Sequence, residues 1–190
     1  MCAWGRAGKS TSAPRLDGYA HSYQLVVQDA AGKIAITDYL PILAIDKAST
    51  PYKGKAQVIP GKVNCGLFDE GGKNVAFYRP DKKEYSRKNP HLLYDGTWLR
   101  YTVDVKSAGK YIVTMNRNKV RDITRGTNFY PDMQALIFVN NRKAGTFTFK
   151  KGETATVIKD MDLPAGEVKL TIMPVGGNEL TPASMDFVQQ

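Results

Sequence analysis

The stretch from Tyr94 to Met115 restricts the possible folds of this chain more than any other. Leu99, Tyr101, Val103 and Val105 alternate with Arg100, Thr102 and Asp104, and after Ser107-Ala108-Gly109 the alternation resumes through Tyr111, Val113 and Met115. A period of two sends one set of side chains to a core and the other to water, the mark of a half-buried strand. Two such arms around a short glycine-containing turn predict a β-hairpin.

The same pattern continues to the C-terminus. Strands are expected at 63–68, 75–78, 135–139, 145–149, 154–163, 167–173 and 185–189, separated by Gly, Pro and Asn turns. In 154–163 the alternation slips near Ile158 and Lys159, which predicts a β-bulge. No segment has a helical period. The expected fold is therefore all-β, an antiparallel β-sandwich or jelly roll.

Ahead of it, residues 1–16 have no periodicity and are expected to be disordered. Gly5 to Ser10 matches half of a phosphate loop, without the strand before it or the helix after it, and is not read as a nucleotide site. Residues 17–46 predict a hairpin with strands at 22–28 and 33–39. It is either the end of an upstream module or an apron packed on the main domain. Residues 47–57, with Pro51, Gly54 and three lysines, read as a linker, and the main domain is expected to span 58–190.

Composition excludes several classes. No apolar run approaches the roughly 20 residues that span a bilayer, and the start lacks the basic and apolar regions of a signal peptide. Cys2 and Cys65 are read as two free thiols in preference to one disulfide between them, and His21 and His91 lie far from both, so no zinc site is expected. The net charge of +9 raises the question of nucleic acid. With no nucleic-acid motif or basic helix, the 27 basic side chains are read as solvating strands and loops, and nucleic acid is not the expected partner. Asp69-Glu70 and Asp160/Asp162 are close carboxylates, but no nucleophile or histidine base accompanies them, so no catalytic site is expected.

Strands joined in sequence alternate direction, which sorts the loops by end. Turns near 107–109, 140–142 and 164–166 are tight and fall at one end. The long segments 78–94, 117–130, 150–153 and 175–184 gather at the other, where a rigid sandwich usually carries its binding site.

Several motifs resemble the family 6 carbohydrate-binding modules, β-sandwiches of the galactose-binding-like type appended to secreted polysaccharide-degrading enzymes. They are Ile59-Pro60-Gly61-Lys62, Phe68-Asp69-Glu70-Gly71-Gly72, Gly96-Thr97-Trp98-Leu99-Arg100-Tyr101-Thr102-Val103, Ala108-Gly109-Lys110-Tyr111, Leu163-Pro164-Ala165-Gly166 and Met185-Asp186-Phe187. They run in the family's order over residues 58–190. The resemblance implies a non-catalytic module that holds an attached or partner glycoside hydrolase on its polysaccharide, in a secreted, periplasmic or cell-surface protein. The alternative is a sandwich of the same fold that has lost sugar binding and serves structure or protein interaction. The family holds a structural calcium through carboxylates of its first strand. Here those positions are Asn64, Cys65 and Gly66, which bring no charge, so no cofactor is expected, although Asp186 matches the family's last-strand aspartate.

A sugar site needs a flat ring for the C–H face and fixed polar groups for the hydroxyls. The candidate rings are Tyr78, Tyr85, Tyr94, Phe129 and Tyr130, and the candidate hydrogen-bonding groups are Arg125, Asn128 and Asn178, with Ser184 at the family's asparagine position. Trp98 is read as support for the sheet. Arg117, Lys119, Arg121 and Arg125 suggest an acidic glycan, since guanidinium forks suit carboxylates and sulfates.

Overall fold

The structure is a computed structural model that describes residues 20–23, 26–28, 30–36, 40–43, 45, 48–79, 93–122, 127–175 and 179–190, with side chains left aside in 20–27, 35–43 and 121–129. The elements are β1 (Ala20–Tyr23), β2 (Val26–Gln28), β3 (Ile34–Ile36), β4 (Leu40–Leu43), a 3-10 turn (Tyr52–Gly54), β5 (Gln57–Ile59), β6 (Gly61–Asn64), β7 (Phe77–Tyr78), β8 (Trp98–Val105), β9 (Gly109–Arg117), β10 (Val120–Asp122), β11 (Thr127–Phe129), β12 (Met133–Val139), β13 (Arg142–Phe149), β14 (Ala155–Leu163), β15 (Gly166–Val175) and β16 (Pro182–Gln189). The larger sheet runs β1-β4-β13-β12-β15-β8-β5, with β7 also on β8, and the smaller runs β14-β9-β16-β6. The fold is an all-β, mainly antiparallel sandwich. Its core interleaves Tyr101, Val103, Ile137, Phe147, Leu170 and Ile172 of the larger sheet with Val63, Val113, Met115, Met185 and Phe187 of the smaller.

The expected hairpin is not one. β8 pairs with β15 and, in parallel, with β5, whereas β9 pairs with β14 and β16. The turn at 106–108 carries the chain from one sheet to the other, so the apolar faces of the two arms meet across the core instead of lying side by side. Periodicity assigns a side chain to a face, and both arrangements satisfy it equally.

The polar face of β8 also departs from expectation, because Arg100 and Thr102 are buried. This outer face of the larger sheet is covered by the chain itself. Toward the loop-rich end, Tyr78, Trp98, Leu136, Phe138 and Met173 form a second apolar cluster, with Ile45 and Val175 packed against it. Trp98, fully buried, supports the sheet as expected.

Next to this cluster lies a polar network around the buried carboxylate of Asp69. It accepts from the Ser49 hydroxyl, from the Thr102 backbone N–H at 2.6 Å and from the Thr102 hydroxyl at 2.7 Å. Lys169 donates to Thr102 Oγ1 at 2.6 Å and to the Ser49 carbonyl at 2.9 Å. Arg100 donates to Asn141 and Thr171, and burial lowers its pKa to about 10 against the pull of Asp69, which leaves it charged at neutral pH.

The stretch read as a linker is therefore part of the fold. Ser49 is buried, Thr50 and Glu70 exchange backbone hydrogen bonds, and Gln57 begins β5 on β8. Upstream, β2 pairs with β3 and β1 with β4, two nested antiparallel ladders, and β4 meets the edge of β13 at Ile42 and Arg142. The expected bulge in β14 is present between Ile158 and Met161, where Asp160 has a φ of 58°.

Strand directions follow the predicted parity. The turns at 106–108, 140–141 and 164–165 share one end of the sandwich, and 118–132, 150–154 and the approach to β16 share the other. The segment expected as one long loop contains a small ribbon, β10 paired with β11.

Candidate functional site

At the loop-rich end an open groove of about 350 Å3 is lined by Asp132, Met133, Gln134, Thr148, Phe149, Lys150 and Val175. Its floor is a single cross-strand row. Gln134 on β12 lies opposite Thr148 on β13 and opposite Val175 on β15. Their neighbours Met133 and Phe149, also opposite each other, point into the core and back the floor. The alternation of the pleat thus sets an amide, a hydroxyl and a small apolar side chain side by side on the outer face.

The rims come from two interlocked loops. The Lys151 N–H donates to Asp132 Oδ1 at 2.7 Å, the Gly152 N–H to the Tyr130 carbonyl at 3.0 Å, and the Lys150 N–H to Glu153 Oε2 at 2.8 Å. Asp132 and Lys150 therefore bring opposite charges to the mouth of the groove. On the third side, the Gly96 N–H donates to the Pro174 carbonyl at 3.3 Å, which seats the Tyr94–Thr97 turn beside Val175. Thr97 locks that turn, accepting from the Tyr94 N–H at 2.9 Å and donating to the Tyr94 carbonyl at 2.6 Å.

Beneath the rims lies Arg117, only 4% exposed. It continues the inward series Tyr111, Val113 and Met115 and closes the core at this end. Its guanidinium donates to the carbonyls of Glu153 at 2.8 Å, Pro131 at 2.7 Å and Lys150 at 3.2 Å. It also lies over the rings of Phe149 at 4.4 Å and Tyr130 at 5.4 Å. Burial lowers its pKa, with Glu153, Tyr130 and Asp132 opposing. The reading of Arg117 as part of a basic cluster for an acidic ligand is corrected accordingly: its donors are turned inward to backbone oxygens.

The predicted site residues are dispersed by the fold. Tyr94 and Tyr130 are half-buried at the loop-rich end, each with a cation over its ring, Arg79 at 5.1 Å for Tyr94 and Arg117 and Lys119 for Tyr130. Tyr78 is 5% exposed and stacks on Trp98 at 6.4 Å, so its ring belongs to the outer cluster and offers little open face. Ser184 is on the other sheet. It lies buried opposite Asn64 and Asn116, and its hydroxyl accepts from Asn116 Nδ2 at 3.2 Å. Asn128 and Phe129 fall in β11, opposite Arg121 and Val120. Their side chains, and all of Tyr85, Arg125 and Asn178, lie outside the described residues. Sequence reasoning missed Gln134, Thr148, Val175 and Asp132. No local signal marks them, because what joins them is strand register.

The calcium implied by the family resemblance can be tested against the donors in place. Asp186 Oδ2 accepts from Asn116 Nδ2 at 2.6 Å, Lys62 stands opposite Asp186 in the ladder, and Asn64 Oδ1 accepts from the Gly66 N–H at 2.9 Å. One carboxylate with a lysine opposite in the ladder does not make the multi-carboxylate oxygen cage that calcium takes. Among the described residues no group of three or more His, Cys, Asp or Glu could hold a metal ion.

No family model matches this chain, and no curated protein matches it. Several solved structures are similar at low identity. The CBM36-1 domain of a multidomain xylanase from the hindgut metagenome of Trinervitermes trinervoides matches with a TM-score of 0.48 and 14% identity, over 68% of this chain and 96% of that one. A carbohydrate-binding module, CBM36, in complex with calcium and xylotriose matches with a TM-score of 0.47 and 10% identity, over 67% and 98%. CsCBM6-3 from Clostridium stercorarium in complex with cellobiose matches with a TM-score of 0.48 and 10% identity, over 72% and 99%.

Proposed function

We propose that this protein is a non-catalytic carbohydrate-binding module that holds a glycan chain across the groove at its loop-rich end. The observation that carries this reading is the Thr148–Gln134–Val175 row, flanked by Asp132 and Lys150 on a rigid sheet. A sugar presents hydroxyls around a weakly apolar ring. An open floor of amide, hydroxyl and methyl groups, edged by an acceptor and a cation, complements that surface without enclosing it. The half-buried Tyr94 and Tyr130 stand on the segments that flank the groove. The motif resemblance across residues 58–190 supports the same reading.

The non-catalytic part rests on the lining. Glycoside hydrolysis uses two carboxyl groups astride the bond, and Asp132 is the groove's one carboxylate among the described lining residues. As a module of an extracellular or cell-surface protein, the chain would raise the local concentration of an attached enzyme on polysaccharide.

Isothermal titration against neutral oligosaccharides, uronate oligosaccharides and an RNA oligonucleotide tests this. The expected result is saturable binding to at least one glycan, weakened roughly tenfold or more by the double substitution Gln134→Ala, Thr148→Ala, in line with the loss of one or two hydrogen bonds. Glycan binding that this double variant leaves unchanged would move the site elsewhere. Absence of any glycan binding would favour the structural or protein-interaction alternative. Salt-dependent binding to the oligonucleotide alone would favour nucleic acid.

A further inference from the structure

We infer that Arg117 is the positioning residue of the groove, fixing the separation of its two charged rims from inside the core. The Asp132 rim follows directly on Pro131, whose carbonyl Arg117 binds at 2.7 Å, and the Lys150 rim is bound through the Lys150 carbonyl at 3.2 Å. A third bond, to Glu153 at 2.8 Å, holds the far end of the same loop. A guanidinium is planar and carries five N–H donors in fixed directions, so bonds from Nε, Nη1 and Nη2 define three acceptor positions at once. Phe149, under the head group at 4.4 Å, is itself part of the groove lining, so the plane of the guanidinium is held against the floor that it serves.

The backbone adds a fourth restraint, since the Arg117 N–H donates to Thr154 at 2.9 Å. The mutual bonds of the two rim loops tie one loop to the other, and the Arg117 side chain ties both to the sandwich. Arg117 belongs to β9, which is fixed on both sides by β14 and β16. It therefore transfers the rigidity of the smaller sheet to a binding surface built on the larger one. The inference rests on the carbohydrate reading only for what the rims hold, not for how they are held.

Amide hydrogen exchange tests the positioning independently of any ligand. In Arg117→Ala the amides of Lys151 and Gly152 are expected to exchange at least ~10-fold faster, while those of Val113 and Val168 in the sheet centres stay within about twofold, the pattern of local rather than global opening. Millimolar methylguanidinium is expected to restore slow exchange at the rims. Should Arg117→Ala not fold, Arg117→Lys, which keeps the stem and the charge but has no planar fork, is read in the same way. Unchanged rim amides, equal acceleration at all sites, or loss of the fold in both variants would overturn the inference, the last two by showing a role in stability alone. If the wild-type chain binds no glycan, the carbohydrate reading falls while the exchange result stands.

Discussion

Cys65 shows how far a side chain's surroundings can depart from its sequence context. It stands two residues after Val63 in a polar stretch, yet it is fully buried in the core. Burial pushes its thiol from the ordinary 9.0 up to about 12, with the Tyr101 hydrogen bond opposing and the charge of Asp186 adding to the rise. A raised pKa favours the protonated form in the folded chain. Its stabilising contribution is present below pH 9 and is lost as pH rises toward 12. Cys65 should therefore resist a thiol reagent at pH 8 and react once the chain is denatured. In Cys65→Ala the fall of unfolding free energy between pH 9 and pH 11, followed by denaturant titration, should be shallower than in the wild type.

The charged residues carry the opposite lesson. Arg100 sits at a polar position of its strand's alternation, which reads as solvent-facing. Its guanidinium instead donates to Thr171 and Asn141, and its carbonyl accepts from the Asp69 N–H, partners far away in sequence. For Arg117 a signal did exist, as it is the next odd position after Tyr111, Val113 and Met115. What the sequence lacked was the identity of its partners, three carbonyls on loops that only the fold brings near.

For whole strands, what was legible was face and direction. The long strands of the main domain were anticipated within a few residues, including the bulge in β14, and parity of direction placed the long loops at one end, whereas β5, β10 and β11 fell in stretches read as linker or loop. Pairing was not legible. β8 and β9 share a turn and a grammar, and only the competition among all strands for partners puts them in different sheets. The groove floor depends on that competition, because Thr148, Gln134 and Val175 become neighbours through register alone.

A similar change of sheet occurs between β5 and β6, and here Gly61 stands at the crossing. Gly61 has a φ of 144°, and a Cβ at that position would stand 2.9 Å from the Val58 carbonyl oxygen. Gly61→Ala combines backbone strain with a clash against backbone. It should cost about 1–3 kcal/mol, read as a lower urea midpoint at unchanged slope.

For the molecule as a whole, the segment before Val58 matters to stability. The strap at residues 49–50 supplies Asp69 with the Ser49 hydroxyl and Lys169 with the Ser49 carbonyl, and Ile45 packs on the outer apolar cluster. A chain starting at Val58 loses both of these hydrogen bonds and strips part of the outer sheet face. Compared with a chain starting at Ile45, it should be less stable by about 3–5 kcal/mol, the scale for losing two hydrogen bonds to charged groups. It should also bind more of a hydrophobic dye. Equal melting temperatures for the two chains would refute the structural role of the strap.

The position of β16 has a mechanical consequence. This strand runs away from the groove, is clamped by β9 on one side and β6 on the other, and ends at the opposite pole of the sandwich. If the groove holds a glycan as proposed, tension between that glycan and anything tethered through Gln190 would run parallel to β16. Both ladders would then be loaded in shear, all their hydrogen bonds sharing the force, instead of being peeled apart one at a time.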